Sequence, residues 1–125
     1  MNFNSILIGS EDPARLAEFY TRLFGAPVMS EGGYTGWMIG SGFVTVGPHS
    51  EVSGRNREPG RVIWNIESTA VEADFERFRS AGAEVIAEPY SMEGMPADTW
   101  IATLADPDGN YFQLMSPFDG DAVQA

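Results

Sequence analysis

The chain has 125 residues, the length of one ordinary domain and enough to bury a hydrophobic core. An apolar fraction of 43% suits a globular protein, and a charged fraction of 20% argues against intrinsic disorder. No apolar run approaches the roughly 20 residues of a membrane-spanning helix, and the N-terminus does not read as a secretory signal. Without cysteine, disulfides and thiolate metal ligands are excluded. These features favour a soluble, cytoplasmic, bacterial protein.

The chain is strongly acidic. Seven basic against 18 acidic residues leave a net charge of −11. Such a surface repels phosphate groups, so neither nucleic acid nor an anionic membrane is expected as a partner. It tolerates or attracts cationic ligands, although the simpler interpretation is that the acidity serves solubility.

The first helix is predicted to begin where Asp12 and Pro13 supply an N-cap and a proline at the first helical position. An apolar stripe with helical spacing follows, and Gly25 ends the helix. The stripe consists of Leu16, Phe19, Tyr20, Leu23 and Phe24.

The second helix is predicted after the segment Thr69–Glu72, which fits a capping box. Val71, Phe75 and Phe78 line its inner face, and Gly82 closes it. Around the two helices lie eight short runs of strand-forming residues separated by glycines and polar segments. These runs are Phe3–Ile8, Val28–Ser30, Tyr34–Ile39, Phe43–Val46, Val62–Ile66, Glu84–Tyr90, Trp100–Leu104 and Tyr111–Met115.

The order of strand, helix and three strands occurs twice. The helix-ending segment Gly25–Val28 is repeated with similar sequence at Gly82–Val85, 57 residues later. We therefore predict one α+β domain over residues 1–118, built of modules at about 1–50 and 60–118, with a flexible tail at 119–125. Each module is too small for its own core, so the two either pack together or exchange across a homodimer. A homodimer is expected.

Three segments resemble the vicinal oxygen chelate superfamily of glyoxalases, bleomycin-resistance proteins and extradiol dioxygenases. They are Glu18–Gly25, Phe78–Val85 and Asp106–Met115, the last of which opens with an Asp-Pro-Asp-Gly turn. That turn is a weak motif alone, but here it follows two units of the right length, and the resemblance covers nearly the whole chain. It implies the glyoxalase/bleomycin-resistance fold, in which two βαβββ modules form a curved mixed sheet with a cleft.

Enzymes of this superfamily hold a divalent metal in the cleft, and the resemblance implies where its ligands would stand. None of those positions carries His, Asp or Glu, so we expect no metal and no other cofactor. Residue by residue, the positions fall on Asn4 or Ser5, on the Thr45 hydroxyl, on Arg61 or Val62, and on Gln113.

Bleomycin-resistance proteins bind a drug in the same cleft without chemistry, and aromatic side chains suit that role because they stack on flat rings and attract cations. The sequence therefore favours metal-free binding of a small aromatic or amphipathic molecule, as drug or metabolite sequestration. Any single tryptophan in a strand is, however, more often a core residue. The candidate ligand-binding residues are Tyr34, Trp37, Arg61, Trp64, Trp100, Tyr111 and Gln113.

Two other functions are compatible with the sequence. A glyoxalase-type lyase or isomerase would use His49, the only histidine, together with Glu51, since such a pair can transfer a proton. A histidine in a polar loop is more often simply solvated. A non-catalytic module that contacts a protein partner through exposed aromatic residues is the third possibility.

Overall fold

The structure is a computed structural model that describes residues 1–91, 93–96 and 98–117. Two compact units are present, Met1–Asn56 and Arg57–Ala125. Each contains one helix and one four-stranded mixed sheet, in the order strand, helix, three strands. The predicted α+β class and the two βαβββ modules are thereby confirmed. The tail predicted at 119–125 lies outside the described residues.

In the first unit the strand order is β1-β4-β3-β2. The pairing of β1 with β4 is parallel, whereas β4 with β3 and β3 with β2 are antiparallel. The helix provides the crossover that a strand needs before a parallel neighbour can form. The elements are β1 (Ser5–Ser10), α1 (Pro13–Phe24), β2 (Met29–Glu31), β3 (Tyr34–Ile39) and β4 (Gly42–Pro48).

The second unit repeats this plan with the order β5-β8-β7-β6. Here β5 pairs with β8 in parallel, and the other two pairings are antiparallel. None of the helices in the described part of the chain has the length and apolar character needed to cross a membrane. The elements are β5 (Trp64–Glu67), α2 (Val71–Ser80), β6 (Glu84–Ser91), β7 (Trp100–Ala105) and β8 (Tyr111–Met115).

The first helix begins and ends as predicted. A carboxylate oxygen of Asp12 accepts a hydrogen bond from the backbone N–H of Arg15 at 3.2 Å, and Pro13 occupies the first turn. Gly25 has a φ of 86°, a conformation that favours glycine, and its N–H donates to the carbonyl of Thr21 at 2.8 Å. Capping thus fixes both ends of α1.

The capping box predicted for the second helix is wrong. The N-cap is Ala70, one residue later than predicted, and no side chain caps the helix there. Instead Ser68 provides the local support. Its hydroxyl accepts from the N–H of Ala70 at 3.0 Å and donates to the carboxylate of Asp74 at 2.7 Å. The later start moves Thr69 out of the capping position.

The core of the first unit lies between α1 and one face of its sheet. Trp37 is 1% exposed, and its ring meets that of Tyr20 at a centroid distance of 6.2 Å. The indole N–H donates to the carbonyl oxygen of Gly25 at 3.0 Å, so the only polar atom of the ring is satisfied. Trp37 therefore joins the strand, the helix and the helix end.

The core of the second unit centres on Phe112, whose ring lies 6.1 Å from that of Phe78 and 5.7 Å from that of Trp64. Before β8 the chain reverses at Asp106, which is 2% exposed. One of its carboxylate oxygens accepts the backbone N–H groups of Asp108 at 2.9 Å and Asn110 at 3.0 Å. The Asp-Pro-Asp-Gly turn is held by this buried carboxylate.

Trp37→Ala should lower the free energy of unfolding by about 3–5 kcal/mol, because it empties the core beside Tyr20. Met38 follows in the same strand but faces away from α1 and is 51% exposed. Met38→Ala should therefore cost about 0.5 kcal/mol or less. Urea denaturation followed by circular dichroism measures both values. Similar losses in the two variants would contradict the placement of Trp37 in the core.

Asp106→Ala should lower the free energy of unfolding by about 1–3 kcal/mol, because buried N–H groups of the turn lose their acceptor. Asp106→Asn keeps one side-chain carbonyl oxygen and should lose less. The same denaturation experiment compares the two variants. If alanine and asparagine have equal effects, acceptance by the side chain of residue 106 is not what stabilises the turn.

Candidate functional site

Each sheet has one face covered by its helix and one that no helix of the same unit covers, which we call the helix-free face. In the first sheet, Trp37 and Val46 mark the helix side, so the alternate residues of each strand lie on the other side. The cross-strand register joins them into rows. The helix-free face of the first sheet comprises Ser5, Leu7, Met29, Glu31, Tyr34, Met38, Phe43 and Thr45, with Gly9, Gly36 and Gly47 between them.

Apolar side chains on this face are accessible to solvent. Leu7 is 48% exposed, Tyr34 is 38% exposed and Met38 is half exposed. Single exposed apolar residues are ordinary, but several on one sheet face form a patch of the kind that binding sites use. Thr45 adds a hydroxyl near the middle of the patch, which donates to the carbonyl oxygen of Ile6 at 3.1 Å.

Two glycines lie under aromatic rings on this face. A Cβ at Gly36 would meet the Cζ of Phe43 at 2.5 Å, and one at Gly47 would overlap the Cδ1 and Cε1 atoms of Tyr34. The Tyr34 hydroxyl lies 3.5 Å from the carbonyl oxygen of Pro48, so this ring extends along β4. Each ring therefore lies over the backbone of a neighbouring strand. An alanine at either glycine would displace the ring.

The helix-free face of the second sheet has a polar centre. Tyr111, Gln113 and Met115 lie on this face of β8, each partly buried. The side-chain amide nitrogen of Gln113 donates to the hydroxyl of Thr103 on the neighbouring strand at 3.0 Å. This hydrogen bond orients the amide between an aromatic ring and a thioether, an arrangement suited to contacting an organic ligand.

The three tryptophans lie on the helix side of their sheets. Trp37 is in the core of the first unit, and Trp64 packs on Phe112. Trp100 borders a cavity of about 540 Å³ at the start of α2, together with Val71. Because side chains alternate along a strand, Trp37 does not share a face with Tyr34, and neither Trp64 nor Trp100 shares one with Tyr111. A ligand-binding role for the three tryptophans stays a prediction from sequence.

The remaining candidates lie in the loop that follows β4. The guanidinium of Arg61 pairs with the carboxylate of Glu58 at 2.8 Å, and both side chains are exposed. The Nδ1 of His49 accepts the backbone N–H of Glu51 at 3.2 Å. This contact orients the imidazole through the backbone of Glu51. A catalytic role for His49 and Glu51 stays a prediction from sequence.

The two units repeat in detail, and this repeat adds a candidate for one predicted metal position. The hydroxyls of Ser10 and Ser68 each accept the N–H two residues further on, both at 3.0 Å. Matching these serines aligns Asn4 with Val62 and Ser5 with Ile63. Of Asn4 and Ser5, Ser5 is the one that lies in β1, so its counterpart Ile63 joins Arg61 and Val62 as a candidate for the fifth-strand position.

With Ser5 as the first position, the positions where the superfamily's enzymes carry ligands are Ser5, Thr45, Ile63 and Gln113. Thr45 and Gln113 are equivalent positions of the two units. Thr45 precedes Val46, which pairs with the buried Ile8 of β1. Gln113 precedes Leu114, which pairs with the buried Ile66 of β5. Two hydroxyls, an alkyl group and an amide supply neither negative charge nor an imidazole, and this set does not fit a divalent ion. Over the part of the chain that the structure describes, no three His, Asp or Glu side chains gather into a metal-binding group.

The fold is shared with solved structures. A glyoxalase-related enzyme from Fulvimarina pelagi is 22% identical, with a TM-score of 0.71 over 97% of this chain and 94% of that chain. TioX from Micromonospora sp. ML1 is 17% identical, with a TM-score of 0.74 over 94% of this chain and 100% of that chain. At these identities the likeness concerns the fold alone.

Two curated relatives are more similar in sequence, the anthracycline biosynthesis proteins DnrV of Streptomyces peucetius and DauV of Streptomyces sp. strain C5. Each is 31% identical over 123 residues, covering 86% of this chain and 44% of the relative. The chain thus spans less than half the length of these relatives. The family model of the glyoxalase-like domain matches residues 5–115. This chain belongs to the glyoxalase-like domain family, within the vicinal oxygen chelate superfamily that its motifs resemble.

Proposed function

We propose that this protein binds a small, largely apolar organic molecule without a metal, and that the ligand contacts the helix-free face of the first sheet. The observation that carries the proposal is the set of exposed apolar side chains on this face, around Leu7, Tyr34 and Met38. Homodimer formation and a cytoplasmic location stay predictions from the sequence.

Energetics support an apolar ligand. Covering exposed apolar surface is favourable by about 25 cal/mol per Å², so a ligand that lies over this patch gains affinity without ion pairing. Small-molecule sites are typically apolar with a few polar groups that fix orientation. On the face of the first sheet, Thr45 is a group of this kind.

The names of the curated relatives suggest a chemical class. Both are anthracycline biosynthesis proteins, and anthracyclines contain a planar, fused aromatic ring system. Such a ring system is matched by the aromatic side chains of Tyr34 and Phe43, because flat rings stack or meet edge to face. We therefore propose a planar aromatic ligand for this chain.

Metal content tests the metal-free part of the proposal. Native protein purified without chelators, then dialysed against zinc, nickel, manganese or iron(II), should hold far fewer ions than chains, because the available donors lack charge. Inductively coupled plasma mass spectrometry measures the ratio. A stoichiometric ion that resists dialysis would contradict the proposal and would favour metal-dependent chemistry.

Ligand binding is tested with daunomycinone, an uncharged anthracycline aglycone whose fluorescence reports its environment. It should bind with the same affinity with and without EDTA. Phe43→Ala should weaken binding about five- to tenfold, through loss of an aromatic contact. Val28→Ala is the control, since Val28 is exposed outside the strands of this face. The proposal fails if the aglycone does not bind, or if the two variants behave alike.

A further inference from the structure

We propose that the helix-free face of the first sheet selects a planar aromatic ring system that carries a cationic group. The ring would lie on Tyr34 and Phe43, and the cation would lie beside Glu31. This inference rests on the proposed function and narrows it, because it names the charge of the ligand and the residue that recognises it.

The register places Glu31 next to the aromatic ring. Glu31 of β2 is the cross-strand partner of Tyr34 in β3. On the other side of Tyr34, its ring lies over Gly47 of β4, and Gly47 pairs with Gly9 of β1. A single row thus crosses all four strands, with a carboxylate at one end, a ring next to it and two glycines beyond.

Glu31 is the only charged residue among the strand positions of this face that the structure describes. Its side chain is exposed on an edge strand, so a ligand can reach it without desolvating a buried charge. His49 lies at the opposite end of the row, where its Cβ would be 3.1 Å from a Cβ at Gly9. Three strand spacings, about 14 Å, separate that end from Glu31. Among the strand positions of this face, the charge therefore lies at the β2 edge.

Gly36 and Gly47 lack a Cβ because an aromatic ring occupies that space, and not because the backbone conformation requires glycine. Neither Gly36 nor Gly47 has a positive φ, so alanine is sterically allowed by the main chain at both positions. Glycine inside a strand weakens it, and its usual justification is the close approach of another group. Here that group is the ring of Phe43 or Tyr34. The glycines keep these rings low on the sheet, where a planar ligand can cover them.

The carboxylate of Glu31 and the ring of Tyr34 would both attract the cationic group of a ligand. A cation is attracted to the face of a tyrosine ring as well as to a carboxylate, and Tyr34 and Glu31 offer both within one cross-strand pair. No basic side chain from these strands opposes it in the described structure. A neutral ring system would gain the stacking contact only, and an anionic one would be repelled by Glu31.

The test uses three fluorescent probes with one ring system and different charge. They are 9-(aminomethyl)anthracene, which is cationic, 9-anthracenemethanol, which is neutral, and 9-anthracenecarboxylate, which is anionic. The full chain should bind the cation about two- to fivefold more tightly than the alcohol, the range expected for an exposed charge pair. The preference should shrink as salt is raised.

Two pairs of variants separate charge from stacking. Glu31→Gln should remove the preference for the cation while leaving the affinity for the alcohol unchanged, and Glu72→Gln in α2 is the control with the same loss of charge. Gly47→Ala should weaken all three probes about five- to tenfold by displacing the Tyr34 ring. Gly42→Ala in the same strand is its control, because a Cβ there meets only ordinary contact, 3.5 Å from a backbone oxygen. Circular dichroism verifies that each variant is folded.

The outcomes distinguish the two proposals. If the alcohol and the cation bind equally, and Glu31→Gln changes nothing, the charge selection is refuted while ligand binding stands. The assignment to Glu31 is equally refuted if the cation preference survives Glu31→Gln, since the net charge of −11 would then be its cause. If no probe binds, the inference falls, and the proposed function falls with it only if daunomycinone also fails to bind.

Discussion

Alternation of side chains along the strands is the constraint on which the rest of this structure depends. Each unit has four strands and a single helix, so only one face of each sheet is covered within its unit. The parallel pairing of the outer strand requires the helical crossover, and the crossover places that helix on one side. Every residue of a strand is then committed either to the core under the helix or to the helix-free face. The candidate site is a consequence of this division.

Much of the fold could be predicted because its signals are local. Asp12, Pro13 and Gly25 mark the ends of α1, and caps of this kind depend on neighbouring residues only. All eight strands exist, with bounds shifted by a few residues: β1 is Ser5–Ser10 where Phe3–Ile8 was expected, and β5 is Trp64–Glu67 where Val62–Ile66 was expected. Strand ends are set by pairing with distant partners, which a single stretch of sequence does not contain.

The candidate site was harder to predict, for the same reason. Tyr34 and Trp37 belong to one predicted strand and are three residues apart, so alternation alone forbids them to share a face. Long-range packing decides which of these two residues points toward the helix. Here the hydrogen bond from Trp37 to Gly25 fixes Trp37 on the helix side. The predicted metal position before β5 depends on an offset of a single residue. Gly25 and Gly82, which end the helices, are 57 residues apart, whereas Ser10 and Ser68 are 58 residues apart. The first offset aligns Ser5 with Val62, and the second aligns it with Ile63.

The glycines at 36 and 47 would have been the best sequence signal for the site. Each lies inside a strand, where glycine normally lowers stability, and each lies in a run with an aromatic residue. A core position would gain from a larger side chain, because packing against α1 rewards added volume. A glycine that has an ordinary φ and lies opposite the helix instead leaves room for a ring above it. Leu7 and Met38 lie on the same face and remain exposed, and exposed apolar patches of this kind are the observation on which the proposed ligand site rests.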